Sequence, residues 1–148
     1  MISQDIKKGM FITANYGILN VNTLRFQFVS AGHNDTLVYN SGTQELRAYN
    51  PKGIALGLDK GAVFDMMLQE QEISLSSGDV VLQYTDGITE AMNEEREEFG
   101  DDRLKDVIRQ YAHLNVKEFL AALDQEIRTF TKGFTQSDDI TAVVIKVK

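Results

Sequence analysis

Two acidic motifs carry the chemistry open to this sequence. The first is Tyr84-Thr85-Asp86-Gly87-Ile88-Thr89-Glu90, where a carboxylate stands at the end of an apolar run and a glycine follows at once. A strand end is a rigid base for a ligand, and glycine lets backbone approach closely or take a positive φ beside it. Taken alone, Asp-Gly is a common turn dipeptide. The second is Ser137-Asp138-Asp139-Ile140-Thr141, two adjacent carboxylates opening the last apolar run. β-Propensity does not favour an acidic pair there, and alone it reads as a turn or a solvated edge. The two gain weight together. If the strand ending at Tyr84 pairs antiparallel with the one starting at Ile140, Asp86 and Asp138 reach the same end of the sheet. Carboxylates brought together repel unless a proton or a cation joins them. An oxygen-only donor set suits a hard cation, Mg²⁺ or Mn²⁺, and paired ions of this kind support phosphoryl transfer to water.

Other chemistries are excluded by the residues. There is no G-x-x-x-x-G-K, no G-x-G-x-x-G and no G-x-S-x-G, so neither a P-loop, a dinucleotide fingerprint nor a nucleophile elbow is present. With no cysteine and two histidines, His33 and His113, a disulfide framework, a thiolate site and a His-rich zinc site are ruled out. A net charge of −7 over 148 residues argues against a nucleic-acid surface, which needs clustered Lys and Arg. At 43% hydrophobic and 25% charged residues, the chain is globular in composition rather than a disordered acidic tail. No apolar run approaches the ~18–20 residues of a membrane span. Residues 1–8 carry no apolar signal segment, so a cytoplasmic location is expected.

The elements that must position the two motifs are readable from periodicity. Phe11 to Leu19, the turn at Asn20-Val21-Asn22, and the alternation of Leu24, Phe26 and Phe28 with polar residues predict a hairpin. Thr36–Tyr39 and Glu45–Tyr49 flank Asn40-Ser41-Gly42-Thr43 and predict a second. Pro51 opens a loop through Gly53 and Gly57. Phe64 to Ile73 is expected to be a strand, with Met66-Met67 as core filler. Val80–Tyr84 follows a turn and is expected to be central. Leu104, Val107, Ile108 and Tyr111 then fall at helical spacing, with Asp101 and Asp102 suited to the N-terminus. Val116 to Phe130 make a second helical stripe, with Gly133 as its stop. Ile140 to Val147 is the last strand. The order predicts an α+β fold, helices packed on a mostly antiparallel sheet, in a single domain over residues 1–148.

Read in order, Ala31-Gly32-His33-Asn34, Gly53-Ile54-Ala55-Leu56-Gly57, Ser77 to Ala91 around Thr85-Asp86-Gly87, Phe99-Gly100-Asp101-Asp102-Arg103-Leu104 and Asp138-Asp139-Ile140-Thr141 closely resemble the SpoIIE/RsbU-type branch of the PPM, or protein phosphatase 2C-like, serine/threonine phosphatases. The resemblance runs from about Met10 to Val147. It implies a sandwich of antiparallel β-sheets flanked by helices. It further implies hydrolysis of phosphoserine or phosphothreonine at a two-metal site, usually Mn²⁺ or Mg²⁺, with water attacking phosphorus and no phosphoenzyme. Asp86 matches the family's metal aspartate of T-D-G and Asp138 that of D-D-I-T. Asp139 stands where relatives in the wider superfamily often carry Asn. The implied partner is a phosphorylated anti-sigma-factor antagonist, a small STAS-domain protein of bacterial partner switching, and the implied role is regulation of a sigma factor.

The sequence departs from the family at one point. An earlier Asp-Gly, often within D-x-x-G-H-G, is the family's source of a metal-bridging aspartate. Before residue 35 the sequence has a single Asp, Asp5, followed by Ile6-Lys7-Lys8. The chain is therefore expected to be the C-terminal portion of the phosphatase domain, truncated at the N-terminus, with weak Mn²⁺ binding and little or no turnover. The competing expectation is a non-catalytic interaction module with a phosphatase-like fold. A shortened sandwich would also expose strand edges and invite a homodimer. His33 is open between a general acid and a hydrogen-bonded structural residue. His113 is expected at a helix C-terminus, Glu94 to Glu98 as a solvated acidic stretch or a mobile flap beside the active site, and Arg103 in a local ion pair.

Overall fold

The computed structural model describes residues 9–59, 61–135 and 138–148, so Ser137 of the second motif and the N-terminal segment 1–8 lie outside the described residues. The strands are β1 (Ala14–Asn20), β2 (Arg25–Ala31), β3 (Thr36–Tyr39), β4 (Leu46–Tyr49), β5 (Glu70–Ser74), β6 (Val80–Tyr84) and β7 (Ala142–Lys146). The helices are α1 (Ala62–Met67), α2 (Gly100–Tyr111) and α3 (Val116–Thr131). The strands form two sheets, ordered β1-β2-β5 and β4-β3-β6-β7, whose registered pairs are antiparallel. The fold is thus α+β with antiparallel sheets and a few helices, as expected. The chain divides into two compact units, Met1–Asn34 with Tyr49–Leu75, and Asp35–Ala48 with Ser76–Lys148.

In the first unit the period-2 pattern of β2 puts Phe26 and Phe28 on one face, both buried, their rings 5.1 Å apart and nearly parallel. Gln27 and Arg25 take the other face, where they meet Glu70 and Glu72 of β5. Asn20 Oδ1 accepts from the backbone N–H groups of Asn22 and Thr23, which makes the β1–β2 turn. The expectation of a strand from Phe64 needs correction. Residues 62–67 are helical, and β5 begins only at Glu70. The cause is Asp59, whose Oδ2 accepts from the N–H groups of Gly61, Val63 and Phe64 and so satisfies the donors that a helix start leaves open. The methionines are corrected with it. Met66 is 83% exposed and Met67 41%, so neither fills a core.

The second unit holds the larger core. Leu82 of β6, Ile88, Leu104 and Ile108 of α2, and Phe119 and Leu123 of α3 are all buried in one cluster. β6 lies between β3 and β7, which explains why Val80, Val81 and Leu82 are apolar on both faces. α2 packs on α3, and α3 on β7. Asn115 caps α3 with Glu118 in a reciprocal box, and Lys132 in the left-handed region ends it just before Gly133. Asp101 and Asp102 stand in the first turn of α2 and make no cap, which corrects that part of the expectation. Arg103 is corrected too. Instead of an ion pair, its Nη1 donates to the Glu98 and Phe99 carbonyls, and its guanidinium lies 4.5 Å from the centre of the Phe130 ring. Among the described residues no helix is long and apolar enough to cross a membrane.

Candidate metal centre

β6 delivers the first motif. It runs antiparallel to β7 with Tyr84 opposite Ala142, so its C-terminal end faces the start of β7, as the sequence predicts. Past the last registered pair the two chains stay joined. Thr85 N donates to Thr141 O at 3.0 Å, Thr141 N donates to Thr85 Oγ1 at 3.0 Å, and the Thr85 hydroxyl donates to Asp139 O at 3.0 Å. Thr85 thus accepts and donates with one oxygen across the junction. Gly87 explains the glycine after the aspartate. A methyl group there would sit 2.5 Å from the Asp139 carbonyl oxygen and 3.4 Å from that of Asp138. The glycine therefore serves close backbone approach of T-D-G to D-D-I-T.

After Asp86 the chain closes into a turn. Asp86 O accepts from Glu90 N at 2.8 Å and from the Thr89 hydroxyl at 3.2 Å, while fully buried Ile88 pins the turn in the core. Asp86, Asp138 and Asp139 are themselves exposed, so their carboxylates meet solvent above a rigid base. Asp138 Oδ1 accepts from the Asp139 N–H at 2.7 Å. The structure therefore brings the segments of Asp86, Asp138 and Asp139 to one sheet end. Among the described residues no group of three or more His, Asp or Glu side chains is gathered closely enough to enclose a metal ion. The side chains are hard oxygen donors beside a cradle that a Cβ would fill, a donor chemistry of the kind that suits Mg²⁺ or Mn²⁺.

The surroundings tie this end of the sheet to α2. Gly100 N donates to Thr89 O and Phe99 N to Ala91 O, joining F-G-D-D-R-L to T-D-G-I-T-E-A. Tyr84, 5% exposed, donates its hydroxyl to Asp101 Oδ1 at 3.3 Å. Burial first, and then the carboxylates of Asp101 and Asp35, push its phenol pKa above the ordinary value, so the ring stays neutral. The acidic stretch Glu94 to Glu98 is exposed, as expected, but locally tied. Asn93 is buried, its Oδ1 accepts from Glu97 N at 2.8 Å and its Nδ2 donates to Glu97 Oε2.

The remaining motifs meet in the other unit. Gly53 packs its backbone against Ser30 O, at a distance no Cβ could share, which brings G-I-A-L-G onto A-G-H-N. His33 follows β2. Its N–H donates to Ser30 Oγ at 3.1 Å, and Nδ1 is 3.0 Å from Thr13 Oγ1. Sequence reasoning missed Thr85 and Asn93, whose types carry no metal chemistry. The signal available for Thr85 was its place between strand end and aspartate.

The chain is similar in sequence and in fold to known proteins. The chain is 28% identical over 137 residues to protein IcfG of Synechocystis, covering 92% of this chain and 20% of that protein. It is 24% identical over 148 residues to phosphoserine phosphatase RsbU of Bacillus subtilis, covering all of this chain and 42% of that one. It therefore spans less than half the length of these two relatives. The phosphatase domain of the cell fate determinant SpoIIE from Bacillus subtilis, presoaked with Mn, folds alike at a TM-score of 0.66 and 16% identity, covering 91% of this chain and 56% of that one. The family described as Stage II sporulation protein E (SpoIIE) matches residues 1–148 in full, and the chain belongs to that family of PPM-type phosphatase domains.

Proposed function

We propose that these residues are part of a metal-dependent phosphoprotein phosphatase domain, with Asp86 and Asp138 as ligands of Mn²⁺ or Mg²⁺ and Asp139 as a further donor. The observation that supports this reading is the junction at Thr85 and Gly87, where two acidic segments distant in sequence share hydrogen bonds, between residues 54 and 56 positions apart, and a close backbone contact. When bound, such cations neutralise phosphoryl charge and activate water for attack on phosphorus. The chain's own part is to hold Asp86 on the rigid end of β6 and to keep Asp138 beside it through the Thr85 hydroxyl. Tyr84, neutral and bonded to Asp101, fixes the sheet end against α2.

The proposed substrate is a phosphorylated, STAS-type anti-sigma-factor antagonist, so the reaction would release phosphate from a phosphoserine or phosphothreonine. The likeness to RsbU, a phosphoserine phosphatase by name, supports that class. Turnover by these residues alone is expected to be weak or absent. The sequence holds one Asp-Gly pair, Asp86-Gly87, where the family resemblance implies two.

Calorimetric titration with Mn²⁺, on this chain and on Asp86→Asn, tests the reading, with p-nitrophenyl phosphate turnover followed in parallel. Binding that is lost in the variant, with little turnover, is expected. Strong turnover would overturn the expectation of weak activity. No binding by either protein would overturn the metal assignment and favour a non-catalytic interaction module.

A further inference from the structure

In Phe99-Gly100-Asp101-Asp102-Arg103-Leu104, Phe99 and Leu104 are buried core residues. Gly100 takes a φ of +77°, and among the described residues no atom lies within 4 Å of where its Cβ would stand. Its glycine therefore serves backbone conformation rather than close packing. Phe99 N donates to Ala91 O at 2.8 Å, and Gly100 N donates to Thr89 O at 2.8 Å. Thr89 in turn donates its hydroxyl to Asp86 O. The start of α2 is thus two hydrogen bonds from the peptide of Asp86.

Arg103 closes this arrangement from one helical turn further on. Its Nη1 donates to Glu98 O at 2.9 Å and to Phe99 O at 3.0 Å. Those two carbonyls end the segment that returns from the acidic stretch. The guanidinium lies 4.5 Å from the centre of the Phe130 ring, and Phe130 meets Phe99 edge-on at 5.5 Å. Its neighbours on α2 take the surface ion pairs, Lys105 with Asp102 and Arg109 with Asp106. Arg103 instead joins the returning segment, α2 and α3. We propose that Arg103 is a positioning residue of the metal centre, which holds residues 98–99 on α3 and so fixes the turn that carries Asp86. The role rests on the metal assignment of Asp86. It calls for arginine, whose fork of donors serves two carbonyls while its flat face stacks on a ring. Groups that orient a metal ligand from behind typically change metal affinity by about 10–100-fold when removed.

Amide exchange without metal, followed by nuclear magnetic resonance, and calorimetric Mn²⁺ titration together read the role. Arg103→Ala should speed exchange of the Glu90, Phe99 and Gly100 amides while the β6–β7 pairs stay protected. It should also weaken Mn²⁺ binding by about tenfold. Phe130→Leu keeps apolar bulk but removes the ring, and should move both readouts the same way. Arg103→Lys keeps the charge and the apolar stem and should restore little. Asn115→Ala removes the cap of α3 and lowers stability, yet should leave Mn²⁺ affinity unchanged, which separates positioning from lost stability. If Arg103→Ala does not fold, Arg103→Lys takes its place with losses of the same kind expected. Unchanged exchange or unchanged Mn²⁺ affinity in Arg103→Ala overturns the role. Full recovery by Arg103→Lys overturns it too, since charge alone would then act. A wild-type chain that binds no Mn²⁺ overturns the metal assignment instead, and amide exchange then decides by itself whether Arg103 holds the turn.

Discussion

Thr85 stands between the two acidic segments, and its hydroxyl donates to Asp139 O while accepting from Thr141 N. Thr85→Val keeps the shape and the strand preference but removes both bonds. It should cost about 1–3 kcal/mol in urea unfolding, because the Thr141 N–H loses its side-chain acceptor. It should also weaken Mn²⁺ binding, since the loop bearing Asp138 is released. Gly87→Ala tests the same junction two residues further along the same segment. The added methyl meets backbone 2.5 Å away, so the junction must open, at a cost of about 1–3 kcal/mol. Tyr84 gives a pH test. Its folded-state pKa is raised above the ordinary tyrosine value of 10.0, so its contribution is fully present below pH 10 and is lost as pH rises beyond it. Tyr84→Phe should lose about 1 kcal/mol near neutrality and show a flatter decline in stability above pH 10. Unfolding followed at several pH values from 8 to 11 checks both. Asp86, Asp138 and Asp139 were legible as site candidates because acidic residues at the ends of apolar strands conflict with strand preference. Thr85 was not, because a threonine at a strand end conflicts with nothing.

At the scale of elements, legibility followed periodicity. β2 was readable because Phe26 and Phe28 alternate with polar residues, and α2 and α3 because their apolar residues recur at helical spacing. β6 and β7 were readable as short apolar strands bounded by turn residues. α1 was not. Val63, Phe64, Met66 and Met67 look like the start of a strand, and the deciding group is Asp59, which lies outside the apolar run. Asp59→Ala leaves three backbone N–H groups without that acceptor and should unravel Ala62–Met67. The expected result is faster amide exchange in that segment with β2 and β5 unchanged. Persistent protection would show that local packing, not the carboxylate, holds the helix. Asn115→Ala should cost about 1 kcal/mol of stability, as loss of a capping box does. The role of Arg103 was equally hidden. It depends on Phe130, at the far end of α3, and no local spacing announces that meeting.

For the whole molecule, the proposed metal site is shared by two segments distant in sequence at one end of a sheet. Mn²⁺ is paramagnetic and broadens the amide signals of residues near it, so nuclear magnetic resonance of the labelled chain locates the ion directly. Signals of residues 85–88 and 138–141 are expected to broaden together at the lowest Mn²⁺ additions, and Asp138→Asn to abolish the effect in both segments at once. Broadening confined to Glu94–Glu98, or retained around Asp86 in the Asp138→Asn chain, would contradict a shared centre.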